Sequence, residues 1–217
     1  MPVRHLNGEA SALNHLLDRS ELQNQYFVLR HGHSQANEAG IIVSHPKNGL
    51  DQYGLTAAGR DQVTRTLKAS PVFRYPLRIV SSDFKRTRET AELAHALLES
   101  PFDVKYDQRL RERNFGELEL GPDNRYPDIW RHDRTDPDST CMGTESANQV
   151  MERVTALVNQ CEHSEMGTTF LLVSHGDALQ ILQTAFNGQP ASRHREQVHL
   201  ETAELREMRL RLQVTWL

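Results

Sequence analysis

The sequence predicts an α/β fold: a three-layer sandwich on a mostly parallel, doubly wound sheet, with one antiparallel edge region and a small inserted cap. Three observations lead there. Two short apolar runs, Tyr26-Phe27-Val28-Leu29 and Phe170-Leu171-Leu172-Val173, are partly β-branched or aromatic and each is soon stopped by glycine, the pattern of a buried strand. Such strands alternate with amphipathic stretches, which favours a parallel sheet with helices on both faces. The last two candidate strands are too closely joined for a crossover and so read as antiparallel neighbours.

The 217 residues suit one domain over 1–217, with an N-terminal extension over 1–25 and the cap over 113–143. An apolar share of 37% and a mean hydropathy of −0.63 imply a polar surface around one core. The net charge of −4 argues against a nucleic-acid partner, which would want a basic face. No apolar run approaches the ~18 residues of a membrane span, and Met1–Glu9 lacks the apolar stretch of a signal peptide. Cys141 and Cys161 lie in no metal-ligand spacing, which fits reduced thiols in a cytoplasmic protein.

Within the extension, Leu6, Leu13, Leu16 and Leu17 form a helical stripe, suited to packing on the sheet edge or to a homodimer contact. Residues 40–54, with three glycines and one proline, read as a loop. Thr56 is a good N-cap for the next helix, where Val63 and Leu67 share a face. Arg78–Ser81 reads as the second strand, Thr87–Leu98 as a helix and Val104–Tyr106 as the third strand. From Arg113 to Gly143 periodicity fades and the chain reads as a loop-rich insert. Asn148–Cys161 is amphipathic at helical spacing. The Phe170 strand, a helix around Ala178–Phe186, and strands near Val198–Leu205 and Arg209–Val214 complete the chain.

Ligands in open α/β sheets bind beyond the carboxyl ends of the strands. Arg30-His31-Gly32 and Ser174-His175-Gly176 stand at two such ends, so two imidazoles distant in sequence are expected over one pocket. Arg30 adds a permanent cation, and Arg86 follows the second strand near a helix N-terminus, itself an anion site. Phosphate-ester hydrolysis needs the dianion neutralised and the leaving oxygen protonated. The chain lacks a P-loop pattern but offers these cations, a neutral imidazole able to attack phosphorus, and Glu112 beyond the third strand as an acid.

Other readings of these residues are weaker. His31-Gly32-His33 as a metal pair would need further ligands at later strand ends, where this chain supplies arginine. Asp133, Asp136 and Asp138 lack the glycine and distal glutamate of a calcium loop and read as a solvated acidic loop. Arg113, Arg125, Arg131 and Arg134 either greet an anionic substrate or sit at the surface beside aspartates. His163, His194 and His199 carry no readable context.

Taken together, the motifs resemble the histidine phosphatase superfamily in its phosphoglycerate-mutase-like branch. Arg30-His31-Gly32-His33-Ser34-Gln35-Ala36-Asn37 is similar to the family's opening signature, and Leu55-Thr56-Ala57-Ala58-Gly59 to its Leu-Thr-x-x-Gly element. Ser82–Thr90, Leu110-Arg111-Glu112, Gly143-Thr144-Glu145-Ser146 and Val173-Ser174-His175-Gly176 resemble the later elements, in family order. Asp83 stands where the family usually has proline, and Asp177 where it often has a second glycine.

The resemblance implies a metal-independent phosphomonoesterase that hydrolyses a small-molecule phosphate ester through a phosphohistidine, with no cofactor. It implies His31 as nucleophile, with Arg30, Arg86 and His175 around the phosphoryl group. Asn37, Ser34 and Gly176 would add substrate contacts, and Glu112 would be the acid. A remote branch takes its acid from an aspartate placed like Asp177, which makes Asp177 a rival. Phosphoglycerate mutase is the alternative activity, although the 31 positions from Glu112 to Gly143 resemble a shorter, phosphatase-type cap. The alternative of another class is a catalytically silent protein that binds a phosphorylated ligand or acts as a scaffold.

Overall fold

The computed structural model describes residues 13–70 and 73–211. Its strands are β1 (Gln25–Arg30), β2 (Leu77–Ser81), β3 (Lys105–Tyr106), β4 (Thr169–Ser174) and β5 (Leu205–Met208). They form one sheet in the order β3-β2-β4-β1-β5, in which only the β1–β5 pair is antiparallel. The helices are α1 (Gln35–Ala39), α2 (Pro46–Gly49), α3 (Ala57–Lys68), α4 (Lys85–Leu98), α5 (Tyr126–Asp133), α6 (Ala147–Ser164) and α7 (Gly176–Phe186).

Successive side chains of a strand point to opposite faces, and here both faces are covered. Tyr26 and Val28 of β1, with Phe170 and Leu172 of β4, join a core with Val150, Val154, Leu157 and Val158 of α6 and Leu179 and Leu182 of α7. Phe27, Leu29, Leu171 and Val173 point the other way, onto Val63 and Leu67 of α3 and Ala91 and Ala94 of α4. Burial on both faces explains why these strands read as unbroken apolar runs rather than alternating ones. The three layers expected from the sequence are therefore present.

Three local expectations need correction. Residues 46–49, inside the expected loop, form α2, begun by Pro46 at its first position. The loop-rich insert contains α5, whose Ile129 joins Ile42, Phe115 and Leu118 in a small core of its own. Near the C-terminus there is a single described strand, β5, which pairs with β1 rather than with a neighbouring hairpin partner. Residues 198–204 are irregular, and much of the second expected strand lies outside the described residues.

The leucine stripe is likewise only partly described, since Leu6 lies outside those residues. Residues 15–18 form turns. Leu16 is buried in the α6–α7 core and Asn14 Nδ2 donates to Ala185 O, so this stretch packs on the helix layer and not on the sheet edge. Leu17 faces solvent.

Candidate active site

The parallel register of β1 and β4 pairs Arg30 with Ser174, so the next residue on each strand, His31 and His175, leaves the sheet at the same level. His31 N donates to Ser174 O at 3.0 Å, and the two imidazole rings lie 5.3 Å apart edge to face. Both rings are buried. The strand-end expectation thus holds as geometry.

His31 Nδ1 lies 2.8 Å from Gly32 O. A carbonyl only accepts, so Nδ1 carries the proton and the lone pair sits on Nε2. That lone pair accepts from Arg86 Nε at 3.1 Å. Burial first, then the charges of Arg86 and Arg30, hold the His31 pKa well below its ordinary value and keep the ring neutral. His175 is depressed in the same way, by burial and then by Arg86 and His31. Its Nε2 meets Ser82 Oγ at 2.9 Å, which fixes the ring's orientation.

Each arginine is anchored by one arm. Arg30 Nη1 reaches Leu200 O and His199 Nε2, at 2.7 and 2.9 Å, and Arg86 Nη2 donates to Val43 O at 2.9 Å. Among the described residues, Arg30 Nε, Arg86 Nη1 and His175 Nδ1 are buried with no protein partner. An unmet buried donor costs about 1–3 kcal/mol, more when charged. Arg30 also lies against Gly176 at the N-terminus of α7.

Glu112 is buried beside this group. Its Oε1 accepts from the backbone N–H of Arg113 at 2.9 Å and of Ala178, in the first turn of α7, at 3.2 Å. Burial, then the nearby Asp177 carboxylate, raises its pKa, while Arg86 and these two hydrogen bonds pull the other way. A carboxyl raised in this manner can hold a proton and return it. Asp177 itself lies 3.4 Å from Arg113 Nη1 and 3.6 Å from Arg195 Nη1, which makes it a counter-ion to two arginines.

Ser34 and Asn37 are not placed alike. Ser34 is fully buried, caps α1 and donates its hydroxyl to Asn37 Oδ1, while Asn37 N donates back to Ser34 Oγ. The Asn37 amide oxygen is thereby spent and its NH2 group is the donor left to offer. Ser34 acts on Asn37 rather than toward the histidines.

Several residues carried no usable signal in the sequence. Arg113 is fully buried, forked onto Asp133 at 2.6 and 2.8 Å, so Asp133 is not the solvated loop residue expected and Arg113 does not take the surface alternative. His194, also fully buried, adds a third bond to Asp133 at 3.1 Å. Arg125 and Arg131, by contrast, pair with Asp128 at the exposed surface. His199 steadies Arg30, and Tyr126 of α5 lies within electrostatic range of Glu112, Arg86, Asp177 and Arg30. Only their spatial neighbours reveal these roles.

The chain is 32% identical over 172 residues to the probable phosphoglycerate mutase GpmB of Escherichia coli, covering 77% of this chain and 76% of that one. Among solved structures it resembles mycobacterial hydrolase 1, with a TM-score of 0.72 and 26% identity over 88% of this chain and 96% of the other. It also resembles a mycobacterial glucosyl-3-phosphoglycerate phosphatase in complex with inorganic phosphate, with a TM-score of 0.68, 25% identity, and 88% and 95% coverage. The family model described as histidine phosphatase superfamily (branch 1) matches residues 26–215, and the chain belongs to that family.

Proposed function

We propose that this protein is a phosphomonoesterase that hydrolyses a small-molecule phosphate ester through a phosphohistidine on His31. The observation that carries this reading is the trio of buried nitrogens without protein partners, on Arg30, Arg86 and His175, with Arg86 Nε on the lone pair of His31 and the His175 ring 5.3 Å from the His31 ring. A phosphoryl group has the charge and the oxygens to satisfy them.

In this reading the ester enters with its phosphoryl oxygens on Arg30, Arg86, His175 Nδ1 and the Asn37 amide, near the N-terminus of α7 at Gly176. Arg86 Nε turns from His31 to an oxygen, and the freed Nε2 attacks phosphorus. The bond to the leaving oxygen breaks as Glu112 delivers its proton, giving the alcohol and phosphohistidine. Water then attacks phosphorus, Glu112 takes a proton from it, and inorganic phosphate leaves with His31 restored. Positioned donors around a group whose charge moves in the transition state are worth about 2.7–4 kcal/mol each.

The test is p-nitrophenyl phosphate turnover, with an acid-labile, alkali-stable phosphoenzyme trapped by rapid quenching. His31→Ala should remove both. Ordinary turnover by that variant would overturn the reading, and chelators should leave the wild type unchanged. The relative named as a mutase supplies the second reading. Efficient formation of 2-phosphoglycerate from 3-phosphoglycerate, stimulated by 2,3-bisphosphoglycerate and with little free phosphate, would favour it.

A further inference from the structure

Between β3 and the insert, the chain passes through residues 107–114 with no strand to pair its backbone, and Glu112 lies in this stretch. Four consecutive carbonyls there are nevertheless all held by side chains. Ser174 Oγ donates to Leu110 O at 2.7 Å. Arg153, from α6, takes the other three: Nη1 donates to Arg109 O at 2.6 Å and Arg111 O at 2.9 Å, and Nη2 to Glu112 O at 3.3 Å.

Arg153 is in turn fixed by Glu145. Its Nε and Nη2 donate to the two carboxylate oxygens at 2.7 and 2.9 Å. Glu145 also grips the far flank of Glu112. Its N–H donates to Asn114 O at 2.8 Å, its carbonyl accepts from Arg113 Nε at 2.7 Å, and its carboxylate accepts from Asn114 N at 3.3 Å. Both side chains are about four-fifths shielded from solvent, at 19% and 21% exposure, so this is no loose surface pair. A planar fork bonded at all three nitrogens is a rigid template.

We propose that the Glu145–Arg153 pair is the positioning device for the proton donor: it shapes the backbone on both sides of Glu112 so that the carboxyl meets the leaving oxygen. Neither residue touches the phosphoryl group in this scheme, and both act through Glu112. The inference rests on the assignment of Glu112 as the acid. It gives the Gly143-Thr144-Glu145-Ser146 element a task besides starting α6.

Leaving-group dependence separates positioning from plain structural support. An alkyl phosphate needs a proton on its departing oxygen, whereas p-nitrophenolate departs without one. General-acid catalysis contributes about 10²–10⁴-fold, and a displaced acid forfeits part of that on the alkyl ester alone. The experiment compares kcat/KM of the full chain on glycerol phosphate and on p-nitrophenyl phosphate, for wild type, Glu112→Gln, Arg153→Ala and Arg153→Lys. The lysine variant keeps the positive charge near His175 but cannot span three carbonyls and a carboxylate, and it guards against misfolding of the alanine variant.

Glu112→Gln should lose about 100-fold or more on the alkyl ester and far less on the aryl ester. Arg153→Lys should show the same split in milder form, about tenfold against less than threefold, in a protein that still unfolds cooperatively on heating. A parallel fall on both esters, or no fall on either, would overturn the positioning role while leaving the acid in place. Absence of the split in Glu112→Gln would instead remove the acid assignment, and the positioning role with it.

Discussion

Arg86 Nε donates to His31 Nε2 at 3.1 Å, so the charge that adds to burial in depressing the imidazole pKa also covers its lone pair. Burial and this contact together keep the ring neutral. Replacing Arg86 with Gln removes a cation from beside His31, so the histidine pKa rises toward its ordinary value. The acid limb of kcat/KM should therefore move to higher pH. The lost phosphoryl contact should cost about 10²–10³-fold in rate. A pH–rate profile of Arg86→Gln on p-nitrophenyl phosphate checks both, and an acid limb that stays in place would deny the electrostatic coupling.

The same depression governs stability. His31 and His175 stay neutral in the fold but take up protons once unfolded, as pH falls through 6.5. The unfolded state then binds more protons, so stability falls on acidification by up to about 1.4 kcal/mol per pH unit for each histidine. Denaturant midpoints should decline steadily from about pH 6.5 downward. His175→Gln should remove roughly half of that slope between pH 6.5 and about 5.

How far the sequence could be read depended on whether a residue's role leaves a local signature. His31 and His175 were legible because each follows an apolar strand and precedes glycine, so the strand-end rule brings them together from local sequence alone. Glu112 was expected from the strand-end rule too, but it lies beyond a turn after the short, exposed β3, and nothing local revealed the side chains that hold its carbonyls. Asp133 was misread, and Arg113 left undecided, because a buried ion pair in an irregular insert has no period, and its composition is that of a solvated loop. His194 and His199 are informative only through Asp133 and Arg30, far away in sequence. β5 spans Leu205–Met208, between the two strands expected near Val198–Leu205 and Arg209–Val214, and the β1 edge it joins depends on the order of the whole sheet.

The start of α3 is pressed against the histidine loop. A Cβ on Gly59 would lie 2.0 Å from His33 O, and one on Gly32 would lie 2.5 Å from Gly59 O. Both clashes involve backbone, so no rotamer relieves them. Gly59→Ala should push α3 away from His33 and break the Thr56 bond to His33 O. Overpacking of this kind costs about 1–3 kcal/mol, and here the strain falls on the loop that carries His31. Thermal unfolding should shift down, and kcat/KM should fall further than a remote substitution of equal destabilisation would make it fall.

Arg113 and Asp133 form a fully buried ion pair, with side chains 0% and 1% exposed. Asp133 ends α5, Arg113 follows Glu112, and their bond ties the insert to the segment that carries the acid. Breaking a buried pair by removing one partner costs about 3–5 kcal/mol, because the other charge keeps its burial and loses its counter-charge. Asp177 is a second counter-ion to Arg113, at a longer 3.4 Å, and recovers only part of that loss. Asp133→Ala should therefore lower the unfolding free energy by about 3 kcal/mol or more, read from urea titrations at neutral pH. Pairing Arg113→Met with Asp133→Leu should cost clearly less than the two single changes added together, since each single change leaves a charge stranded. Additive losses would show that the two side chains contribute by packing alone.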